Sequence, residues 1–207
     1  MRALLISTYD LGRQPFGLAS PAAWLRRAGW EVGCIDTAVD HVDDASLRSA
    51  DLIGVHLPMH TATRLAAPLI TRARRLNRTA RICGFGLYAP LNEAFLRSLG
   101  VDDVLGGEFE EDLISVARSI EAAFMADPKG PPHVRRPDPI GSGIPAVPKD
   151  APYVRVTHIP RLKFIVPDRS GLSPLARYAT LEMPDGTRRQ VGATEASRGC
   201  KHLCRHC

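Results

Sequence analysis

The chain has 207 residues, 44% of them hydrophobic, and a net charge of +5; that is enough for one ordinary domain with an appendage. No apolar run approaches the ~18 residues of a membrane-spanning helix, which excludes a membrane partner of that kind. Lysine occurs only at 129, 149, 163 and 201, so the basic excess is arginine; Arg72, Arg74, Arg75 and Arg78 fit a solvated helix face near its terminal carbonyls, and nucleic acid is not an expected partner.

The opening residues Met1–Asp10 turn polar early and lack a cleavage pattern, so Ala3–Ser7 reads as a buried strand and not as a signal peptide. A helix is predicted over Ala19–Ala28, with Ser20 as cap, Pro21 in the first turn and Gly29 as terminator. Glu31–Asp36 is the second strand, and a short helix over Asp43–Ser49 leads to the third, Asp51–Leu57. Leu65, Leu69, Ala73 and Leu76 recur at helical spacing within Thr61–Leu76. Arg81–Gly86 is the fourth strand, Leu91–Leu99 a helix ended by Gly100, Asp103–Gly106 a short fifth strand, and Phe109–Phe124 the last helix.

Strands alternating with helical crossovers predict a doubly wound parallel sheet over residues 1–125. Ligands of such sheets bind beyond the carboxyl ends of the strands. The loops to inspect are therefore Ser7–Gly17, His56–Thr61, Gly84–Pro90 and Gly106–Glu110. Residues 126–152 are rich in proline and glycine and read as a linker. A connecting segment over 153–193 carries strand patterns at Leu162–Pro167 and Tyr178–Val191, with a hairpin turn at Asp185-Gly186. A last strand, Val191–Ala196, would deliver Cys200. Cys34 and Cys83 lie alone in apolar segments and read as small hydrophobes. With the other three cysteines clustered at 200–207, a secreted disulfide framework is not expected, and a reducing cytoplasm is the expected location.

Cys200, Cys204 and Cys207 are separated by three and two residues, so their thiolates can converge on one inorganic centre. Three chemistries are open. A zinc knuckle would need His202 or His206 as fourth ligand, because no second cysteine pair exists. Cys204-Arg-His-Cys207 is formally a redox pair, though without thioredoxin-like surroundings. A 4Fe–4S cluster held by three thiolates would leave one iron open to a small ligand.

The Cys-x3-Cys-x2-Cys run after Glu195-Ala-Ser-Arg-Gly199 resembles the radical S-adenosylmethionine (SAM) enzymes. The resemblance implies that Cys200, Cys204 and Cys207 hold the cluster and that SAM ligates the open iron and is reductively cleaved. His206 would lie beside the adenine, and an external flavodoxin or ferredoxin would supply the electron. The upstream domain, with Val104-Leu-Gly-Gly-Glu-Phe-Glu110 and His56-Leu-Pro-Met-His-Thr61, looks like the cobalamin-binding subclass, a Rossmann/flavodoxin-like fold. The opening residues 5–22, Pro167-Asp-Arg-Ser-Gly-Leu172 and the cysteine run are similar to the radical SAM group named for a Cys-Sec-Ala-Glu-Pro or Cys-Cys-Ala-Glu-Pro tail.

Cobalamin contacts would then involve Tyr9, Gly12, His56, Met59, Gly84, Gly86, Gly107 and Glu108. The Asp-x-His-x-x-Gly motif that supplies a lower cobalt ligand is broken, because Ser7 and Tyr9 stand at its Asp and His positions. Cobalamin would therefore bind without a protein ligand from this loop, or the fold would be retained without it. The same residues have simpler readings. His56 and His60 suit packed histidines, Glu108 and Glu110 suit a helix first turn, and Gly84-Phe-Gly86 lacks the third glycine of a dinucleotide fingerprint. Residues 194–207 read as the start of a radical SAM barrel whose remaining strands are not in this chain, so the chain alone is expected to be inactive. The rival expectation is a non-enzymatic ligand-binding module with a zinc-binding tail.

Overall fold

The computed structural model describes residues 1–126 and 163–195. Five parallel strands, β1 (Arg2–Ser7), β2 (Glu31–Asp36), β3 (Leu52–His56), β4 (Arg81–Phe85) and β5 (Asp103–Leu105), form one sheet in the order β2-β1-β3-β4-β5. The crossovers carry α1 (Phe16–Arg27), α2 (Asp44–Ser49), α3 (His60–Leu76) and α4 (Glu93–Ser98), and α5 (Glu110–Ala126) follows the last strand. This is the doubly wound α/β class that the alternation of patterns predicts, with flavodoxin-like strand order.

Successive strand side chains point to opposite faces. Leu4, Ile6, Ile53, Val55 and Ile82 therefore pack with Leu47, Ile70 and Leu96 from α2, α3 and α4. Leu5, Cys83 and Phe85 pack with Leu18, Leu25, Leu113 and Ile120 from α1 and α5. Each large side chain so buried contributes about 1.5–3 kcal/mol. Covering both faces requires apolar residues on both, which is why the strands read as continuous apolar runs.

Two polar groups tie the crossovers together. Asn77 donates through Nδ2 to the carbonyls of Leu47 and Ala50, both at 2.9 Å, and accepts from the Ala80 amide at 2.8 Å. Arg74 is not an idle surface charge: it donates to the carbonyls of Gly100 and Ala80 and pairs with Asp102 at 2.5 Å. Among the described residues, no helix is long and apolar enough to cross a membrane.

The first helix differs from expectation. It begins at Phe16 and not near Ser20, with Pro15 in the N-cap position. Ser20 does not cap it, because its hydroxyl donates to Glu110 Oε1 of α5 at 2.6 Å. Pro21 consequently lies inside the helix, where it removes one backbone donor.

Residues 163–179 run as a strap along the domain. The Asp168 amide donates to the Ala19 carbonyl at 2.9 Å, and the Asp168 carboxylate pairs with Arg26 at 2.6 Å. Ser173 and Arg177 both reach Asp40, and the Ala179 amide donates to the Gly12 carbonyl at 2.9 Å. The strands expected at Leu162–Pro167 and Val191–Ala196 do not form over their described residues, 163–167 and 191–195. No neighbouring strand pairs with them there, and Phe164 and Val166 are exposed rather than packed. A hairpin does form from β6 (Thr180–Glu182) and β7 (Arg188–Gln190). It turns at Asp185-Gly186, where Gly186 takes φ +80° and Asp185 Oδ1 accepts from the Thr187 amide.

Candidate functional site

The strand order reverses between β1 and β3, so the crevice at their carboxyl ends is where a ligand of this fold would sit. Register places Asp36, Ser7, His56 and Phe85 in one row across β2, β1, β3 and β4 at that edge. Residues in register on parallel neighbours share a face, and the row looks toward α1 and α5, where Phe85 and Phe109 pack at 4.7 Å between ring centroids. His56 is 3% exposed and lies 5.5 Å from the Phe85 ring.

A cavity of about 230 Å³ opens over this row. Its wall comes from Asp10, Arg13 and Phe16 after β1, from His56 at the end of β3 with Pro58 and Met59 beyond it, from Gly86 and Leu87 after β4, and from Phe109. Ala193, Thr194 and Glu195, after the hairpin, close the remaining side. The cavity is smaller than the ~300–1,000 Å³ of ordinary ligand pockets. It holds a ring-sized group, while anything larger must lie across the rim.

The rim is suited to a broad, partly apolar face. Leu87, on the cavity wall, is 47% exposed, and Leu11, next in the chain to the wall residue Asp10, is 52% exposed. Gly107, at φ +62°, has no atom within 4 Å of where a side chain would begin, leaving backbone open to approach. Leu11 itself is held at φ +52°, a left-handed conformation that costs a non-glycine residue about 1–2 kcal/mol. Strain of this kind clusters at ligand sites.

Electrostatics mark one carboxyl. Burial pushes the Asp10 pKa from 3.8 up to about 6; Glu195 and Asp36 add to the rise and Arg13 opposes it. Burial likewise raises Asp36, partly offset by the hydrogen bond its Oδ1 accepts from the Ala38 amide. Of the described cysteines, burial raises Cys34 to about 12 and Cys83 well above its ordinary value, which keeps both as neutral thiols.

Of the residues singled out from sequence, the structure brings His56, Met59 and Gly86 together on the cavity. Tyr9 is half-buried one residue before Asp10, and Glu108 is half-buried at the approach to α5. Gly12, at φ +75°, lies beneath Ala179 of the strap. Gly84 does not reach the cavity; a side chain there would meet Leu57, Leu96 and Val101 in the opposite core. Cys200, Cys204, Cys207 and His206 lie outside the described residues. Among the described residues, no group of three His, Cys, Asp or Glu side chains is placed to hold a metal ion. Sequence reasoning missed Asp10, Arg13, Phe16 and Glu195 as individuals, although the loop after the first strand contains the first three.

The family model described as B12 binding domain matches residues 3–117. No curated protein matches the chain. Among solved structures, a flavodoxin from the domain Archaea aligns at 15% identity and a TM-score of 0.40, covering 51% of this chain and 82% of that one.

Proposed function

The chain belongs to the B12-binding domain family through residues 3–117, and from that premise we propose that it binds cobalamin across the carboxyl edge of the sheet, as the N-terminal part of a radical SAM enzyme. The observation that carries the cobalamin reading is the rim at that edge. Leu11 and Leu87 offer apolar contact, and the open backbone at Gly107 admits a flat macrocycle. A corrin ring cannot enter the cavity of about 230 Å³ beneath, so it would lie over the rim with at most one substituent inserted. The loop after β1 offers Tyr9 in place of a histidine, and His56 is packed below the rim, so no cobalt ligand from this loop enters the reading.

Cobalamin, when bound, supplies a cobalt centre able to carry a methyl group. The chain's own residues hold and shield it. Phe16, Met59 and Phe109 supply apolar wall to a cavity of mixed character, and Arg13 places a cation beside Asp10. Asp10, with a pKa of about 6, can exchange a proton near neutral pH at its carboxyl oxygens.

The radical SAM half rests on the spacing of Cys200, Cys204 and Cys207 and on the resemblance of their flanking residues. These thiolates would hold a 4Fe–4S cluster, which supplies the electron for SAM cleavage; an external flavodoxin or ferredoxin would recharge it. The test is anaerobic reconstitution of the chain with iron and sulfide. The reading expects a broad visible absorption band from thiolate-bound iron and sulfide and, after reduction with dithionite, an EPR signal that changes on adding SAM. Both should be lost in Cys204→Ser. Uptake of zinc with no iron would instead establish the zinc-tail module.

A further inference from the structure

The family match ends at residue 117, yet Ala193, Thr194 and Glu195 form one side of the cavity. Among the described residues, no strand pairs with 191–195, and a side chain of the strap fastens them to the domain. Arg169 does this with the two arms of its guanidinium. Nη2 donates to the Ala193 carbonyl, and Nη1 donates to Gln14 Oε1 at 2.7 Å. Gln14, on the loop after β1, is 4% exposed, and its Nε2 donates to the Ser173 carbonyl at 2.9 Å. A buried amide is thereby satisfied from both ends by the strap, and the planar fork of arginine links it to the wall segment.

We propose that Arg169 is a positioning residue that, through Gln14, fastens Ala193–Glu195 as a wall of the ligand site contributed from outside the family domain. The inference rests on the cobalamin reading only for the identity of the ligand. The remaining ties of the strap are separate. Asp168 with Arg26, Ser173 and Arg177 with Asp40, and Ala179 with Gly12 do not involve Arg169. Removing Arg169 should therefore release the wall and leave the strap docked.

The wall has an internal reporter. Glu195 raises the Asp10 pKa by its charge, beside the contributions of burial and Asp36 and against that of Arg13. NMR titration of the Asp10 carboxyl in the full chain, without ligand, should find it displaced from about 6 toward its ordinary 3.8 in Arg169→Ala. Arg169→Lys, which reaches one acceptor at a time, should fall between. If Arg169→Ala fails to fold, the lysine variant decides.

Equilibrium dialysis with hydroxocobalamin supplies the second arm. Loss of a charged hydrogen bond that orders the wall should weaken retention about ten-fold. An unmoved Asp10 titration overturns the proposal, and so does a moved titration with unchanged hydroxocobalamin affinity. If the wild-type chain retains no hydroxocobalamin, the cobalamin reading fails, and the titration alone decides whether Arg169 holds the wall.

Discussion

Gly17 and His56 interlock at the centre of the site: a β-carbon placed on Gly17 would fall 2.1 Å from His56 Cε1. The first turn of α1 can approach the end of β3 this closely only because residue 17 has no side chain. Gly17→Ala should therefore destabilise the domain by about 1–3 kcal/mol, the range for overpacking a tight core. In the double variant Gly17→Ala/His56→Ala most of that loss should be recovered, because the two changes share one contact. Urea unfolding of the four chains measures the coupling; additive losses would mean that the contact is not what constrains position 17.

Leu11→Gly should move stability the other way. Glycine accepts φ +52° without the steric cost that leucine bears, so the variant should gain about 0.5–1 kcal/mol despite its larger chain entropy. Thermal unfolding checks the sign. A gain in stability accompanied by weaker hydroxocobalamin retention would separate the binding role of this side chain from any structural one.

Asp10 sets a pH dependence of stability. Its folded pKa of about 6 exceeds the ordinary 3.8, so the folded state binds the proton more tightly between those values. That contribution is full below pH 3.8 and lost as pH rises through 6. The stability of Asp10→Asn relative to the parent should therefore rise between about pH 4 and about pH 7.5, by about 1–2 kcal/mol after allowing for partial exposure. Urea unfolding of both chains at the two pH values reads that difference. Asp168 acts oppositely in a different window. Bonds from Ser170 and then Arg26 hold it at about 2, so its contribution is present above 3.8 and lost as pH falls toward 2.

Asn77→Ala should cost about 2–4 kcal/mol, since it strands the carbonyls of Leu47 and Ala50 and the amide of Ala80 in the interior. Denaturant titration should show a lower midpoint with an unchanged slope.

The sheet was readable because β1, β3 and β4 are buried on both faces and must be apolar throughout, as in Leu4-Leu5-Ile6. The start of α1 was not. Ser20-Pro21 carries a strong local cap signal, but the Ser20 hydroxyl is taken by Glu110, ninety residues away, and no local pattern reports that. The site was legible as loops and not as residues. His56, Met59 and Gly86 could be named from the ends of strands, whereas the role of Glu195 depends on a strap folding back across the edge. Gly84 was misleading because one residue along a strand reverses the face.

The most direct test of the central claim is hydroxocobalamin retention by the full chain, read from the corrin absorption after desalting, with Leu11→Asp as the control that places a charge on the rim. The account expects stoichiometric corrinoid on the wild-type chain and loss of most of it from Leu11→Asp at unchanged fold. A wild-type chain that emerges without corrinoid, or a Leu11→Asp variant that retains it undiminished, would contradict the assignment of this edge as the cobalamin site.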